Sequence, residues 1–353
     1  MSNDFKPTNV LIIGGTGAIG AYITSSLLSA ASPKPYTTLS LFTRPGWDSD
    51  PSSNKAKLIQ HWQSQGLKVV TGNVESLDQA GFTQVFEEGK FDTVISCLGR
   101  ATLKYQPKII DAAEHSQSVQ WFLPSEYGTD VAYNEKSASE PTHVGKLALR
   151  KHIREKIERL KVTYVVTGPY FDMWLYPIPG YEQAGGFVPS EKKAYVIDDG
   201  EGKVDDGEGK VGFCTMWDVG KFVTATLRHP TQSFGKALKV QSFIVTPKEV
   251  LAEFEKQTGS TFDVTETPLP EIQELEEVLW DKKSDNPQPN PQATFVTLRR
   301  IWAQGGTLYE KNDNEVLEVK QEDLDTLEEG VRRYLAGGYK AETFGVRACS
   351  ANL

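Results

Sequence analysis

The sequence predicts an α/β fold: a doubly wound parallel sheet over the N-terminal half, followed by a smaller mixed α/β C-terminal domain. Three observations predict it. From residue 9 to residue 167, short β-rich runs alternate with helical patterns, the signature of consecutive βαβ units. Several of those runs are almost wholly apolar, as expected where helices cover both faces of a strand. The 353 residues also exceed one ordinary domain of about 100–200 residues.

The runs at 10–13, 38–42, 68–71, 93–96, 120–123 and 163–167 are read as six strands of one sheet. After residue 167 the alternation breaks, and Tyr170, Phe171, Trp174, Tyr176 and Tyr181 form an aromatic stretch. A strand is expected at 194–197, a helix at 217–228, a strand at 238–245 and a helix at 247–257, with acidic helical segments at 271–279 and 324–335. The expected units are therefore 1–167, for a nucleotide, and 168–353, for substrate, with some later elements free to return to the first sheet. Residues 198–211 read DDGEGKV twice. That tandem copy is rich in Gly and Asp and is read as a lengthened surface hairpin. It lacks the acidic spacing of a calcium loop.

Hydrophobic residues make up 39% and charged residues 24% of the chain, the values of an ordinary globular protein. A formal charge of −9 opposes a polyanionic partner, so nucleic acid is not expected. Cys97, Cys214 and Cys349 are widely spaced and give neither a disulfide framework nor a zinc pattern. No apolar stretch approaches the roughly 18 residues that span a bilayer, and residues 1–7 leave no room for a signal peptide. A cytoplasmic protein, monomeric or homodimeric and without a metal, is expected.

The first run leads into Gly14, Gly15, Thr16, Gly17, Ala18, Ile19 and Gly20, and a helical pattern follows at once. A pyrophosphate needs a tight turn, backbone close enough to touch it, and a helix N-terminus aimed at its charge. The turn predicts a Rossmann-type dinucleotide site. Where the second run ends, an NAD-binding chain would more often carry a carboxylate for the ribose hydroxyls, but this chain has Arg44. A guanidinium there can grip a 2′-phosphate, with Lys55 adding a second charge, so NADP(H) is the expected cofactor. Both side chains can equally be solvated surface charges.

None of the thirteen tyrosines has a lysine four residues on, so the usual Tyr–Lys pair of short-chain dehydrogenases is missing. In its region stand Pro124, Ser125, Glu126, Tyr127 and Gly128, then a helix with Lys146. Lys146, Leu149, Ile153, Ile157 and Leu160 share one helical face, which turns Lys146 inward. An ammonium held near an apolar side and a positive helix end is expected to have a lowered pKa and to exchange protons near neutrality. Spacing alone leaves open the other reading, a stem covering apolar surface with its head in water. His143, one turn earlier, can relay a proton or simply pack. There is no nucleophile elbow.

These motifs carry a resemblance. The run from GGTGAIG through FTRPG, SSNKAKL, VISCLG, Gln106, PSEYGTD and Lys146 leading into LRKHIREKIE resembles the isoflavone-reductase-like branch of the atypical short-chain dehydrogenases, the NmrA-like proteins. It covers nearly half the chain closely and the rest loosely. The resemblance implies that Lys146 assists proton transfer while NADPH delivers hydride to a conjugated, often aromatic, substrate. It implies that Arg44 and Lys55 grip the 2′-phosphate. It further implies that Ser96, Cys97, Leu98, Gly99 and Gln106 line the cofactor and that Pro124, Ser125 and Glu126 lie beside the nicotinamide. Tyr127, Tyr170, Phe171 and Trp174 are the implied substrate wall, although each aromatic taken singly also fits core packing. Asn73, where relatives often show Asp, and the inserted repeat mark a divergent member in specialised metabolism.

The expected activity is NADPH-dependent reduction of a C=C or C=N bond in an aromatic small molecule. Two alternatives remain at this point: a redox-neutral cyclase or condensing enzyme that holds NADP(H) structurally, and a non-catalytic sensor of the NADP state.

Overall fold

The computed structural model describes residues 5–198, 209–281 and 291–337. Its elements run β1 Asn9–Ile13, α1 Ala18–Ser29, β2 Thr38–Thr43, α2 Asn54–Ser64, β3 Lys68–Thr71, α3 Gln79–Glu88, β4 Thr93–Ser96, α4 Gln106–His115, β5 Trp121–Leu123, α5 Glu135–Ala138, α6 Val144–Lys156 and β6 Lys161–Val162. The second half adds β7 Tyr164–Val166, α7 Phe171–Trp174, β8 Gly186–Val188, β9 Lys193–Asp198, β10 Val211–Phe213, α8 Met216–Arg228, α9 Pro230–Ser233, β11 Ala237–Lys239, β12 Phe243–Val245, α10 Pro247–Thr258, β13 Asp263–Pro268, α11 Leu269–Asp281, α12 Pro291–Ala303 and α13 Leu327–Leu335.

Strands β1 to β6 form one parallel sheet in the order β3-β2-β1-β4-β5-β6, the Rossmann arrangement that the sequence predicts. Strand β1 shows why the pattern was legible. Because successive side chains point to opposite faces, Val10 and Ile12 enter one apolar layer with Ile23, Leu27, Trp62 and Phe222. Leu11 and Ile13 enter the other with Phe82, Phe86, Ile109 and Phe122. All four are fully buried, which requires helices on both sides. Crossing from β1 to β4 reverses the winding, and the carboxyl ends of these two strands flank the crevice where ligands bind in open α/β sheets.

The structure corrects several expectations. The run at 163–167 is not the sixth strand of this sheet, which is β6 at Lys161–Val162. Thr163 separates β6, which pairs with β5, from β7, which pairs in parallel with β11. Its hydroxyl accepts from Trp121 Nε1 at 2.9 Å and donates to the Ser233 carbonyl at 2.7 Å. The strand expected at 238–245 likewise divides, because β11 follows β7 whereas β12 turns to pair antiparallel with β10. Helix α6 stops at Lys156, so Ile157 and Leu160 lie beyond the helical face assigned to them, although Leu160 is buried. The last acidic helix begins at Leu327 rather than 324, because Thr326 and Glu329 close a capping box there.

Helix α12 and strands β8, β10 and β13 had no counterpart in the sequence reading. Strand β13 is exposed at five of its six residues and holds its place through backbone pairing with β9, so it carries no hydrophobic alternation. Most of the DDGEGKV repeat, residues 199–208, lies outside the described residues, as do Cys349 and the C-terminal tail.

The aromatics Phe171, Trp174, Phe187, Phe213 and Phe254 form a separate core with Val331 and with Val211 of β10 and Val245 of β12. Helix α8 packs instead along α1. The approach is close because Gly220 has no side chain: a Cβ there would lie 2.6 Å from Ser26 Cβ and 2.7 Å from the Tyr22 carbonyl oxygen. Gly220→Val is expected to wedge the two helices apart and lower stability by roughly 1–3 kcal/mol, the usual cost of overpacking. A urea midpoint identical to that of the parent chain would refute this account of the helix pair.

Candidate active site and cofactor cradle

At the carboxyl end of β1 the chain must turn and start α1 within a few residues. Gly14 adopts φ +82°, and a Cβ on it would sit 2.6 Å from the Cys97 carbonyl oxygen. The loop after β1 therefore touches the loop after β4. Gly20 is tighter still, since a Cβ there would fall 2.2 Å from Gly14 O. Gly17 caps α1 without a side-chain hydrogen bond. Its own N–H donates to Gly14 O at 2.9 Å. The following first-turn amides keep the positive helix end that attracts a phosphate.

Arg44 follows β2 and pairs with Glu75, both side chains being largely exposed. Lys55, in the first turn of α2, has its pKa lowered by burial and then by the charge of Arg44. The Arg44 charge thus reaches Lys55 beyond the end of β2, while Glu75 offsets part of it. Glu75 was not anticipated as the partner of Arg44.

Ser96, the last residue of β4, and Cys97 and Leu98 after it are buried, while Gly99 is exposed. Burial pushes the Cys97 thiol up to about 12, which makes it inert at neutral pH. Gln106, buried at the start of α4, accepts from Ser125 N–H at 2.8 Å. Ser125 Oγ donates to the Leu98 carbonyl at 2.9 Å. These two bonds fasten the Pro124–Ser125–Glu126 turn to the loop after β4, so both edges of the crevice move as one piece.

Lys146 stands in the first turn of α6, half-buried, and its Nζ donates to the Glu126 carbonyl oxygen. Burial lowers its pKa to about 8. Glu126 opposes that shift, and the charges of Arg100 and Arg150 reinforce it. His143 is buried just before the helix. Its Nδ1 lies 2.7 Å from the Ser137 carbonyl, an acceptor only, so Nδ1 carries the proton and Nε2 presents a lone pair. Burial, and next to it the Lys146 charge, lowers the His143 pKa. The imidazole is thus a neutral acceptor beside a lysine.

One more turn along α6, Arg150 bridges Glu126 Oε2 at 3.0 Å and Asp130 Oδ1 at 2.8 Å. Its guanidinium lies over the Tyr164 ring. Sequence reasoning missed this clamp, although Lys146 and Arg150 are four residues apart on one helix, a spacing that puts them on the same side. The clamp holds the turn whose carbonyl receives Lys146. Helix α12 is tied to this region by side-chain contacts. Arg300 grips Glu140 with both terminal nitrogens, at 3.1 and 2.6 Å, and also holds Glu276. Trp302 Nε1 donates to Thr129 Oγ1 at 3.0 Å.

Of the aromatics implied as a substrate wall, Tyr127 is buried beside Cys97 and has its pKa raised by burial. Tyr170 donates its hydroxyl hydrogen to the Tyr127 carbonyl at 2.7 Å. Phe171 is fully buried and touches Trp174, Phe213 and Phe243. Core packing accounts for it. Trp174 belongs to the same cluster and also borders a cleft beside α12.

Ser96 Oγ, Glu126 Oε1, His143 Nε2 and Arg150 Nε are all buried without a hydrogen-bond partner among the described residues. Buried polar atoms normally find partners, and these four belong to the segments that border the crevice and Lys146. A dinucleotide fits this ensemble: a glycine cradle with no room for side chains, an open helix end, a pair of cations and unsatisfied polar atoms. Among the described residues there is no cluster of His, Cys, Asp and Glu able to hold a metal ion, and no helix is long and apolar enough to cross a membrane.

The NmrA-like family model matches residues 6–284. The chain is 31% identical over 268 residues to phenylcoumaran benzylic ether reductase IRL1 of Ginkgo biloba, covering 75% of this chain and 80% of that protein. In fold it is similar to the binary complex of leucoanthocyanidin reductase with NADPH from Vitis vinifera, at TM-score 0.73 and 20% identity over 93% of this chain and 99% of that one. It is also similar to AtPrR2 solved with NADP+ and (+)pinoresinol, at TM-score 0.73 and 22% identity over 94% and 100% of the two chains.

Arg150→Met leaves the buried Glu126 carboxylate without its counter-ion. Urea denaturation is expected to show a loss of roughly 3–5 kcal/mol, as for one partner removed from a buried pair. A loss below about 1 kcal/mol, the scale of an exposed pair, would show that the clamp is not structural.

Proposed function

The chain belongs to the NmrA-like family, and from that footing we propose that it is an NADPH-dependent reductase of an aromatic small molecule. The bond reduced is a conjugated C=C or C=N. The observation that carries this reading is a lysine with a lowered pKa, Lys146, held on the turn that borders a dinucleotide cradle. Residues 1–167 form the cofactor unit and residues 168–353 supply the substrate side.

When bound, NADPH supplies the hydride; the protein supplies position and the proton. Gly14, Gly15, Thr16, Gly17, Ala18 and Ile19 receive the pyrophosphate through backbone N–H groups and the α1 dipole. Arg44 and Lys55 select the 2′-phosphate, with Arg44 exchanging Glu75 for the phosphate. Ser96, Cys97, Leu98, Gly99 and Gln106 line the cofactor, and Pro124, Ser125 and Glu126 border its reactive end. Tyr127, Tyr170 and Trp174 stand on the substrate side, with Phe171 behind them.

Lys146 acts as the general acid. One N–H is committed to the Glu126 carbonyl, which orients the ammonium and leaves its other protons for the substrate atom that gains negative charge. His143, neutral and with its Nε2 lone pair free, accepts a hydrogen bond from substrate or from Lys146. In that tautomer it has no proton on Nε2 to give. The relay role assigned to it from sequence is therefore restricted to acceptance.

Lys146→Ala is expected to cut turnover by about 10²–10⁴, the usual worth of a positioned acid, while NADPH affinity stays nearly unchanged. Steady-state rates followed by nicotinamide absorbance and by product formation together check this. Equal rates in the variant would remove Lys146 from the chemistry, and product formed without loss of NADPH would replace reduction with redox-neutral catalysis. An acid must hold its proton, so activity is expected to fall as pH rises through about 8.

The phosphate grip has its own signature. Arg44→Ala is expected to weaken NADPH about tenfold, the scale of a lost charge-assisted contact, and to leave NADH unchanged. Glu75→Gln is expected to tighten NADPH. Calorimetry with both cofactors reads the outcome, and equal losses for NADH and NADPH in the Arg44 variant would dismiss the assignment.

A further inference from the structure

Two adjacent arginines on α12 have opposite fates. Arg300 is saturated by Glu140 and Glu276. Arg299 is 5% exposed, yet among the described residues it meets no carboxylate, and the only titratable group whose charge bears on it is the Tyr334 phenol. Its Nη2 donates to the neutral Tyr176 carbonyl at 2.7 Å, its guanidinium lies over the Trp174 ring at 5.4 Å, and Nη1 has no hydrogen-bond partner among the described residues. A buried charge without a counter-ion is strongly unfavourable. Burial holds this guanidinium down to about 9, so it remains a cation at neutral pH.

The surroundings are built around that free nitrogen. Arg299 lines a cleft with Trp174, Gly185, Tyr195, Ile197 and Ala303. Gly185, at φ +102°, comes within contact of Nη1: a Cβ on it would sit 3.3 Å away. A side chain at position 185 would crowd that nitrogen. The rest of the wall is aromatic or aliphatic, which suits a flat apolar body attached to one anionic group.

We propose that this cleft between α7, β9 and α12 binds an organic carboxylate with a planar apolar body, one carboxylate oxygen accepting from Nη1 of Arg299. Trp174 and Tyr195 flank the apolar body. The site is defined by its own residues and does not rest on the reductase reading; α12 joins it to the candidate active site, since Arg300 on the same helix fastens Glu140 three residues before His143.

Calorimetric titration of the full chain with benzoate, with and without NADPH, tests the proposal, with benzamide as the neutral look-alike. Benzoate is expected to bind and benzamide is not. Arg299→Met is expected to weaken benzoate roughly tenfold or more, the scale of a lost charged hydrogen bond, while NADPH binding is retained. Ala303→Leu fills the cleft without altering charge and is expected to have the same effect. The proposal is overturned by the absence of benzoate binding, by equal binding of benzamide, or by unchanged benzoate affinity in folded Arg299→Met. If that variant does not fold by circular dichroism, unchanged affinity in Ala303→Leu overturns it instead. Because NADPH binding is read in the same samples, failure here is distinguishable from failure of the cofactor assignment.

Discussion

Contact between the loops after β1 and β4 leaves no volume for a side chain at Gly14, where a Cβ would meet the Cys97 carbonyl at 2.6 Å. The rest of the site depends on that lack of volume. It lets α1 begin directly above the sheet, with its first amides facing the gap where the winding reverses. It also ties the crevice to the sheet itself, because Cys97 N–H donates to the Ile13 carbonyl at 2.7 Å. Fully buried apolar layers on both faces hold β1 and β4 in register, so the cradle inherits the rigidity of the core.

Charge is managed in two ways around this cradle. Where a charge is structural, it is paired: Arg150 spans Glu126 and Asp130, and Arg300 spans Glu140 and Glu276. Each arginine joins segments far apart in sequence, and each would leave buried carboxylates stranded if lost. Two other cations are left short of partners among the described residues. Lys146 donates to a carbonyl, and Arg299 has one nitrogen with no acceptor. Unpaired groups in low dielectric interact strongly with whatever satisfies them.

The split at Thr163 shows how local sequence and tertiary partners compete. The run TYVVT at 163–167 reads as the sixth strand, and the two residues before it are an equally competent β segment. Those two pair with β5, whereas Tyr164–Val166 pairs with β11. The segment near 238–245 is divided for the same reason. Backbone pairing partners arrive from elsewhere in the chain, and an apolar run has no means of naming them.

By itself the sequence determined five of the six strands of the large sheet, the glycine turn, the candidate lysine and the positive residue at the tip of the second strand. These features rest on local rules: a period of two along strands, helical spacing, and backbone conformations that only glycine adopts comfortably. Tertiary structure alone decided that Arg150 clamps the Glu126 turn, that Glu75 occupies Arg44, that Phe171 is spent on core packing, and that α12 places one satisfied arginine beside one that is not. Each of these depends on residues distant in the chain, 160 positions apart for Arg300 and Glu140. The electrostatic state of a side chain is set by its neighbours in space, which periodicity and composition do not encode.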